Sequence, residues 1–116
     1  MNELSLVKAS IKDSRIIWEW RNDTNTRLMF FENSKISWED HMSWFKNALE
    51  DENRIIYMGL TKDKPIGIIR FDRDPKNSFS FKISINIDPN SRAKGYGKML
   101  LNKGLKKFLK NHSESK

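Results

Sequence analysis

The chain contains no cysteine. That excludes disulfides, thiolate zinc centres and thiol nucleophiles, and it favours a reducing, cytoplasmic setting. Apolar runs of the ~18–20 residues that a helix needs to cross a bilayer are also missing, so no membrane partner is expected. The start, "MNELSLVKASIKD", lacks the basic residues, long apolar centre and small-residue cleavage site of a secretory signal. Internal repeats, low-complexity tracts and linker-like stretches are absent, and 116 residues fit one domain with a modest core. Acidic residues disappear from Arg92 to Lys110, a span that holds seven basic ones. The chain as a whole carries +7, from 22 lysines and arginines against 15 aspartates and glutamates. Such an excess favours anionic partners: nucleic acid, acidic surfaces or a polyphosphate cofactor.

What is present has a legible order. Leu4–Val7 reads as a short strand. "KDSRIIWEWRND" predicts a helix with Asp13 or Ser14 as N-cap and Ile16, Ile17 and Trp20 on its inner face. "TNTRLMFFENSK" breaks the pattern and reads as a loop or a short helical turn. Ser37 then opens a helix with Asp40 at the third position and an apolar stripe of Trp38, Met42, Phe45 and Leu49. "RIIYMGLT" and "PIGIIRFDR" are strands around a "KDKP" turn, and "DPKN" is the next turn. "SFSFKISINID" alternates strictly, with Phe79, Phe81, Ile83, Ile85 and Ile87 on the apolar side. A last helix carries a stripe of Leu101, Leu105 and Phe108, with Lys98, Lys103, Lys106, Lys107 and Lys110 decorating the rest. The fold class is α+β, a mostly antiparallel sheet with helices packed on it.

The turn between the last strand and the last helix carries the chemistry. Pro89 ends the strand, because it cannot donate a ladder hydrogen bond. Gly95 and Gly97 let backbone N–H groups approach a ligand with no Cβ in the way. The helix that follows aims its unpaired N–H groups and positive dipole end at the same place. Arg92, Lys94 and Lys98 add full charges. The arrangement suits a pyrophosphate. A P-loop is excluded because G-x-x-x-x-G-K-[ST] is absent, and a dinucleotide fingerprint because Leu100 stands at its third small position with no βαβ unit around it.

Arg92-Ala93-Lys94-Gly95-Tyr96-Gly97 matches [RQ]-x-x-G-x-[GA], and with the β-α-α-β-β-β order before it the chain resembles the GNAT superfamily of acetyltransferases over nearly its whole length. The resemblance implies a twisted sheet with helices on both faces, and acetyl-coenzyme A as co-substrate with no metal. It implies that backbone N–H groups of Arg92, Ala93, Lys94, Gly95, Tyr96, Gly97 and Lys98 hold the pyrophosphate. The backbone of Ile85, Asn86 and Ile87 would pair with the pantetheine arm, and an N–H of that strand would stabilise the tetrahedral oxyanion. The resemblance further implies a primary amine as acceptor, which with a pKa near ~10 must first lose a proton. Glu32, His41 and Asp72 are candidate bases, none of them established. Phe30, Phe31, Glu32 and His41 are the candidate acceptor contacts. Domains of this family continue past the last helix with a further strand, a helix and a tyrosine that protonates the leaving thiolate. Residues 1–116 are therefore read as one incomplete domain, with an exposed sheet edge through which two copies could pair as a homodimer.

Trp20-Arg21-Asn22, Arg27, Met29, Ile36-Ser37 and His41 are similar to the amino-terminal region of nucleotide-sugar N-acetyltransferases of pseudaminic-acid biosynthesis. A related layout occurs in ribosomal-protein N-terminal acetyltransferases, which keeps a peptide acceptor open as an alternative. A non-catalytic acyl-CoA-binding fragment is a further alternative. A basic nucleic-acid-binding module is another alternative, which the charge would suit; against a nucleic-acid partner stand Phe79 and Phe81, which share the apolar face of their strand, and the lack of a recognised nucleic-acid motif.

Overall fold

The computed structural model describes residues 3–23 and 35–114. In chain order the elements are β1 (Ser5–Lys8), a 3-10 turn (Ile11–Asp13), α1 (Ser14–Asn22), α2 (Trp38–Glu50), β2 (Arg54–Thr61), β3 (Lys64–Asp74), β4 (Asn77–Ile87), a second 3-10 turn (Pro89–Ser91) and α3 (Tyr96–Glu114). The four strands form one antiparallel sheet in the order β1-β2-β3-β4. Phe30, Phe31, Glu32, Arg27 and Met29 lie outside the described residues.

Helices cover both faces of the sheet. On one face Ile17 and Trp20 of α1 and Phe45 and Ala48 of α2 pack with Ile56, Met58 and Ile68. On the other, Leu100 and Phe108 of α3 pack with Leu4, Tyr57, Ile66, Ile69 and Phe71. The Phe71 and Phe108 rings stack with centroids 4.3 Å apart and planes within 4°.

Local chemistry explains each boundary. Ser37 caps α2, its Oγ accepting the Asp40 N–H at 3.1 Å. Asp13 stands at the N-cap of α1 but makes no side-chain bond into it; the chain first makes a 3-10 turn capped at Ser10, whose N–H donates to Asp13 Oδ2 at 2.9 Å. Lys62 and Asp63 both take positive φ, 50° and 65°, as a two-residue hairpin turn of the primed kind demands.

Three expected faces are rotated or shortened. In α2 the buried line is His41, Phe45 and Ala48; Trp38 is exposed, packed edge-on against Trp18 at 5.3 Å. In α3 the line is Leu100, Gly104 and Phe108, with Leu101 and Leu105 on its flanks. Phe79 leaves the core, at 81% exposure. The reason is a bulge: Arg73 pairs with Phe81 but Asp74 pairs with Asn77, so residues 78–80 have no partner across β3.

Leu100 seats α3 on a bare patch of sheet. Gly59 and Gly67 face each other across β2 and β3. A Cβ on Gly59 would lie 2.6 Å from Leu100 Cδ2, and one on Gly67 would lie 3.1 Å from Leu100 Cδ1 and 2.8 Å from the Asn86 carbonyl. Only hydrogens fit beneath that leucine.

Candidate active site

The 3-10 turn after β4 is pinned by Asp88. Its side chain accepts from the Asn90 N–H and from Ser91 Oγ, both at 3.3 Å, and Ser91 is buried. The chain then turns through left-handed backbone at Ala93 (φ 64°) and Gly95 (φ 83°) before α3 begins. The Met99 N–H donates to the Gly95 carbonyl across the first helical turn at 3.3 Å. The amides of Tyr96, Gly97 and Lys98 precede it and have no carbonyl four residues back within the helix. A Cβ built on Gly95 or Gly97 would meet no atom within 4 Å, so open space lies over this turn. Lys94 and Lys98 are exposed beside it. A helix N-terminus, two exposed lysines and open space thus lie at the same turn, an arrangement that suits an anion.

The neighbouring strand presents a matching edge. Ile66 and Asp88 are bonded, the Asp88 N–H donating to the Ile66 carbonyl at 2.8 Å. Antiparallel pairs alternate between bonded and non-bonded, so Asn86 and Ser84 turn their backbone groups toward β3, while Ile83, Ile85 and Ile87 turn theirs outward. The Ile87 carbonyl does lie on that side, where it accepts from Arg92 Nε at 3.1 Å. Among the described residues no strand covers this edge. The side chains of Ile85 and Ile87 pack on the α3 side, whereas Asn86 is buried.

Arg92 faces inward. Besides the Ile87 carbonyl, its guanidinium reaches Asp23 Oδ2 at 3.1 Å and Asn86 Oδ1 at 3.4 Å. Its charge is thus spent within the fold, unlike that of Lys94 and Lys98. A cleft of about 550 Å³ opens next to this contact, walled by Trp18 and Asn22 on α1, Asp23 at its C-cap, Ile36 before α2, and Asp88 and Pro89 after β4. Asn22 holds the Ile36 wall, its Nδ2 donating to the Ile36 carbonyl at 2.9 Å and its Oδ1 accepting the Ile36 N–H at 2.6 Å. Trp18 Nε1 donates to the same carbonyl at 2.8 Å.

His41 is not on a substrate surface. It is fully buried, stacked on Phe45 at 5.5 Å. One ring nitrogen, Nε2, donates to the Ser14 carbonyl at 2.9 Å, and Nδ1 accepts from Arg21 Nη1 at 3.0 Å. A carbonyl can only accept and a guanidinium can only donate, so the ring is the neutral Nε2–H form. Burial, and then the Arg21 charge, hold its pKa down to about 4 against the opposing pull of the Ser14 bond. The structure thus places His41, a candidate base and acceptor contact, in the core, where it ties α1 to α2. Asp72, expected near a strand end, lies within β3 and is held by Arg70 at 3.0 Å and Arg54 at 3.5 Å. Arg21 and Arg70 both stand over the Trp44 ring, at 4.2 and 5.4 Å. Among the described residues no group of three or more histidine, aspartate or glutamate side chains could hold a metal ion, and no helix is long and apolar enough to cross a membrane.

A sheet covered on both faces, an open strand edge and a glycine turn at a helix mouth define an acetyltransferase architecture. Residues 15–115 match the family model described as "Acetyltransferase (GNAT) family", and the chain belongs to that family. Among individual relatives, it is 26% identical over 97 residues to the protein named Acetyltransferase PseH of Campylobacter jejuni, an alignment covering 84% of this chain and 58% of that one. The spermidine N-acetyltransferase of Vibrio cholerae, solved with CoA and spermine, superimposes with a TM-score of 0.79 at 22% identity, over 89% of this chain and 62% of the other. A domain from Methanocaldococcus jannaschii superimposes with a TM-score of 0.75 at 21% identity, over 96% and 72% of the two chains. The present chain thus spans about three-fifths of the first two proteins.

Proposed function

We propose that this chain binds acetyl-coenzyme A and forms the donor half of an N-acetyltransferase site for a primary amine. The observation that carries this reading is the continuity of two open features. A Cβ on Gly95 or Gly97 would meet open space, Lys94 and Lys98 are exposed beside that turn, and the strand that leads into it, β4, turns the backbone groups of Ile83 and Ile85 outward along an edge that no described strand covers. Backbone N–H groups from residues 92 to 98 would take the pyrophosphate, and the β4 edge would pair with the amides of the pantetheine arm. The cofactor supplies an activated acetyl thioester. The chain's own contribution is to fix it along β4, so that an outward N–H at Ile85 or Ile87 meets the oxyanion formed when an amine attacks the carbonyl. The cleft between Trp18 and Pro89 is the route of approach for the amine. No described residue is assigned as the base.

A nucleotide-linked amino sugar is the acceptor we favour, on the similarity of Trp20-Arg21-Asn22, Ile36-Ser37 and His41 to the nucleotide-sugar enzymes. In the described parts of that segment these residues act as scaffold: Asn22 and Trp18 fix Ile36, and His41 joins the helices. A cytoplasmic location and pairing of two copies through an exposed sheet edge belong to the same proposal.

Isothermal titration with coenzyme A and, separately, with single-stranded RNA tests the reading. Saturable binding of coenzyme A at micromolar concentration, without salt-steep binding of RNA, is the expected result. Absence of coenzyme A binding, or tighter binding of RNA, rejects it.

A further inference from the structure

Arg92 stands at the head of the glycine turn, yet its guanidinium contacts protein on three sides. The Ile87 carbonyl belongs to the outward edge of β4, and Asn86 to its buried side. Asp23 is the C-cap of α1 and lines the cleft; Asp88 and Pro89, which also line it, directly follow Ile87. One side chain therefore ties Asp23, on the cleft, to Asn86 and Ile87, the residues that lead into Asp88 and Pro89. A guanidinium suits this task, because its planar fork donates in several fixed directions at once, which an ammonium cannot do.

We infer that Arg92 is a positioning residue: it latches the end of α1 to the end of β4, setting the width of the amine cleft and closing the strand edge at the Ile87 carbonyl, and it is not a counter-charge for the pyrophosphate. The phosphate charge is met by backbone amides and by Lys94 and Lys98, which are exposed. The inference rests on the proposed function for its meaning. Its contacts can be tested without it.

Three substitutions separate the roles: Asp23→Asn, Arg92→Gln and, as a contrast, Lys94→Gln. In the free proteins, amide hydrogen exchange at residues 20–23 should be about tenfold faster in Asp23→Asn and Arg92→Gln than in the parent, and unchanged in Lys94→Gln. In coenzyme A titrations, Lys94→Gln should flatten the dependence of affinity on salt, since a screened charge contact is lost. Arg92→Gln should keep the parent's salt dependence. Binding of coenzyme A should further slow exchange at residues 20–23 in the parent and lose that effect in Asp23→Asn. If Arg92→Gln flattens the salt dependence as Lys94→Gln does, or if exchange at 20–23 is the same in Asp23→Asn as in the parent, the latch is overturned. A parent that binds no coenzyme A rejects the proposed function instead, and the exchange rates of the free proteins still decide the latch. If Arg92→Gln does not fold, Asp23→Asn carries the test alone.

Discussion

Lowering the pH should unlock the joint between α1 and α2 through His41. Its ring is buried and neutral, with a pKa held down to about 4 from an ordinary 6.5. A histidine with a depressed folded value binds fewer protons folded than unfolded, so acid favours the unfolded chain. Its contribution is whole above pH 6.5 and is lost as pH falls toward 4. At 1.36 kcal/mol per unit the full loss is about 3 kcal/mol, of which about 2 kcal/mol falls between pH 7.5 and 5. That is a large share of the 5–15 kcal/mol typical of a domain. His41→Gln keeps a side-chain donor for the Ser14 carbonyl but cannot titrate. The assay is urea unfolding of both proteins at the two pH values. Parent stability relative to His41→Gln should fall by about 2 kcal/mol on acidification. Subtracting the variant removes every other titrating group from the comparison. A difference that does not change with pH, or an imidazole resonance of His41 titrating near 6.5, would refute the argument.

Other outcomes follow from packing and backbone. Gly97→Val should leave the melting temperature nearly unchanged, because its side chain enters open space, while weakening coenzyme A binding at least about tenfold in calorimetry by filling the cradle. Phe108→Ala should cost about 3–5 kcal/mol in chemical denaturation, since Phe108 is buried and stacked on Phe71. Replacing Lys62-Asp63 with Asn-Gly should raise stability by about 1 kcal/mol, as both positions hold left-handed backbone that those residues adopt with less strain.

Much of the fold was readable because period and punctuation agree. Ser37 with Asp40, the "KDKP" turn and the alternation from Phe81 to Ile87 each predicted the element that forms there. What the sequence did not reveal is tertiary. Phe79 continues the alternation in the sequence, but a slip of pairing that no local pattern marks turns it to solvent. His41 looks reactive in a list of residues, and only the facing Ser14 carbonyl and Arg21 reveal a structural neutral ring. Arg92 looks like a phosphate ligand beside two glycines; its partner Asp23 lies 69 positions away. The bend at Gly95 was legible, since left-handed backbone favours a residue that lacks a Cβ. The cleft was not, as its walls come from α1, the approach to α2 and the end of β4.

The most exacting demand on this molecule falls where it has least substance. Leu100 rests on Gly59 and Gly67 with no room for a methyl group under it, and the amides of Tyr96 to Lys98 ride one turn ahead on the same rod. Lifting that leucine by the thickness of a methyl would carry the whole mouth of the helix away from the strand beside it. Damage at the two glycines would thus present itself as poor cofactor grip, at a distance, in a protein whose every charged and polar group was intact.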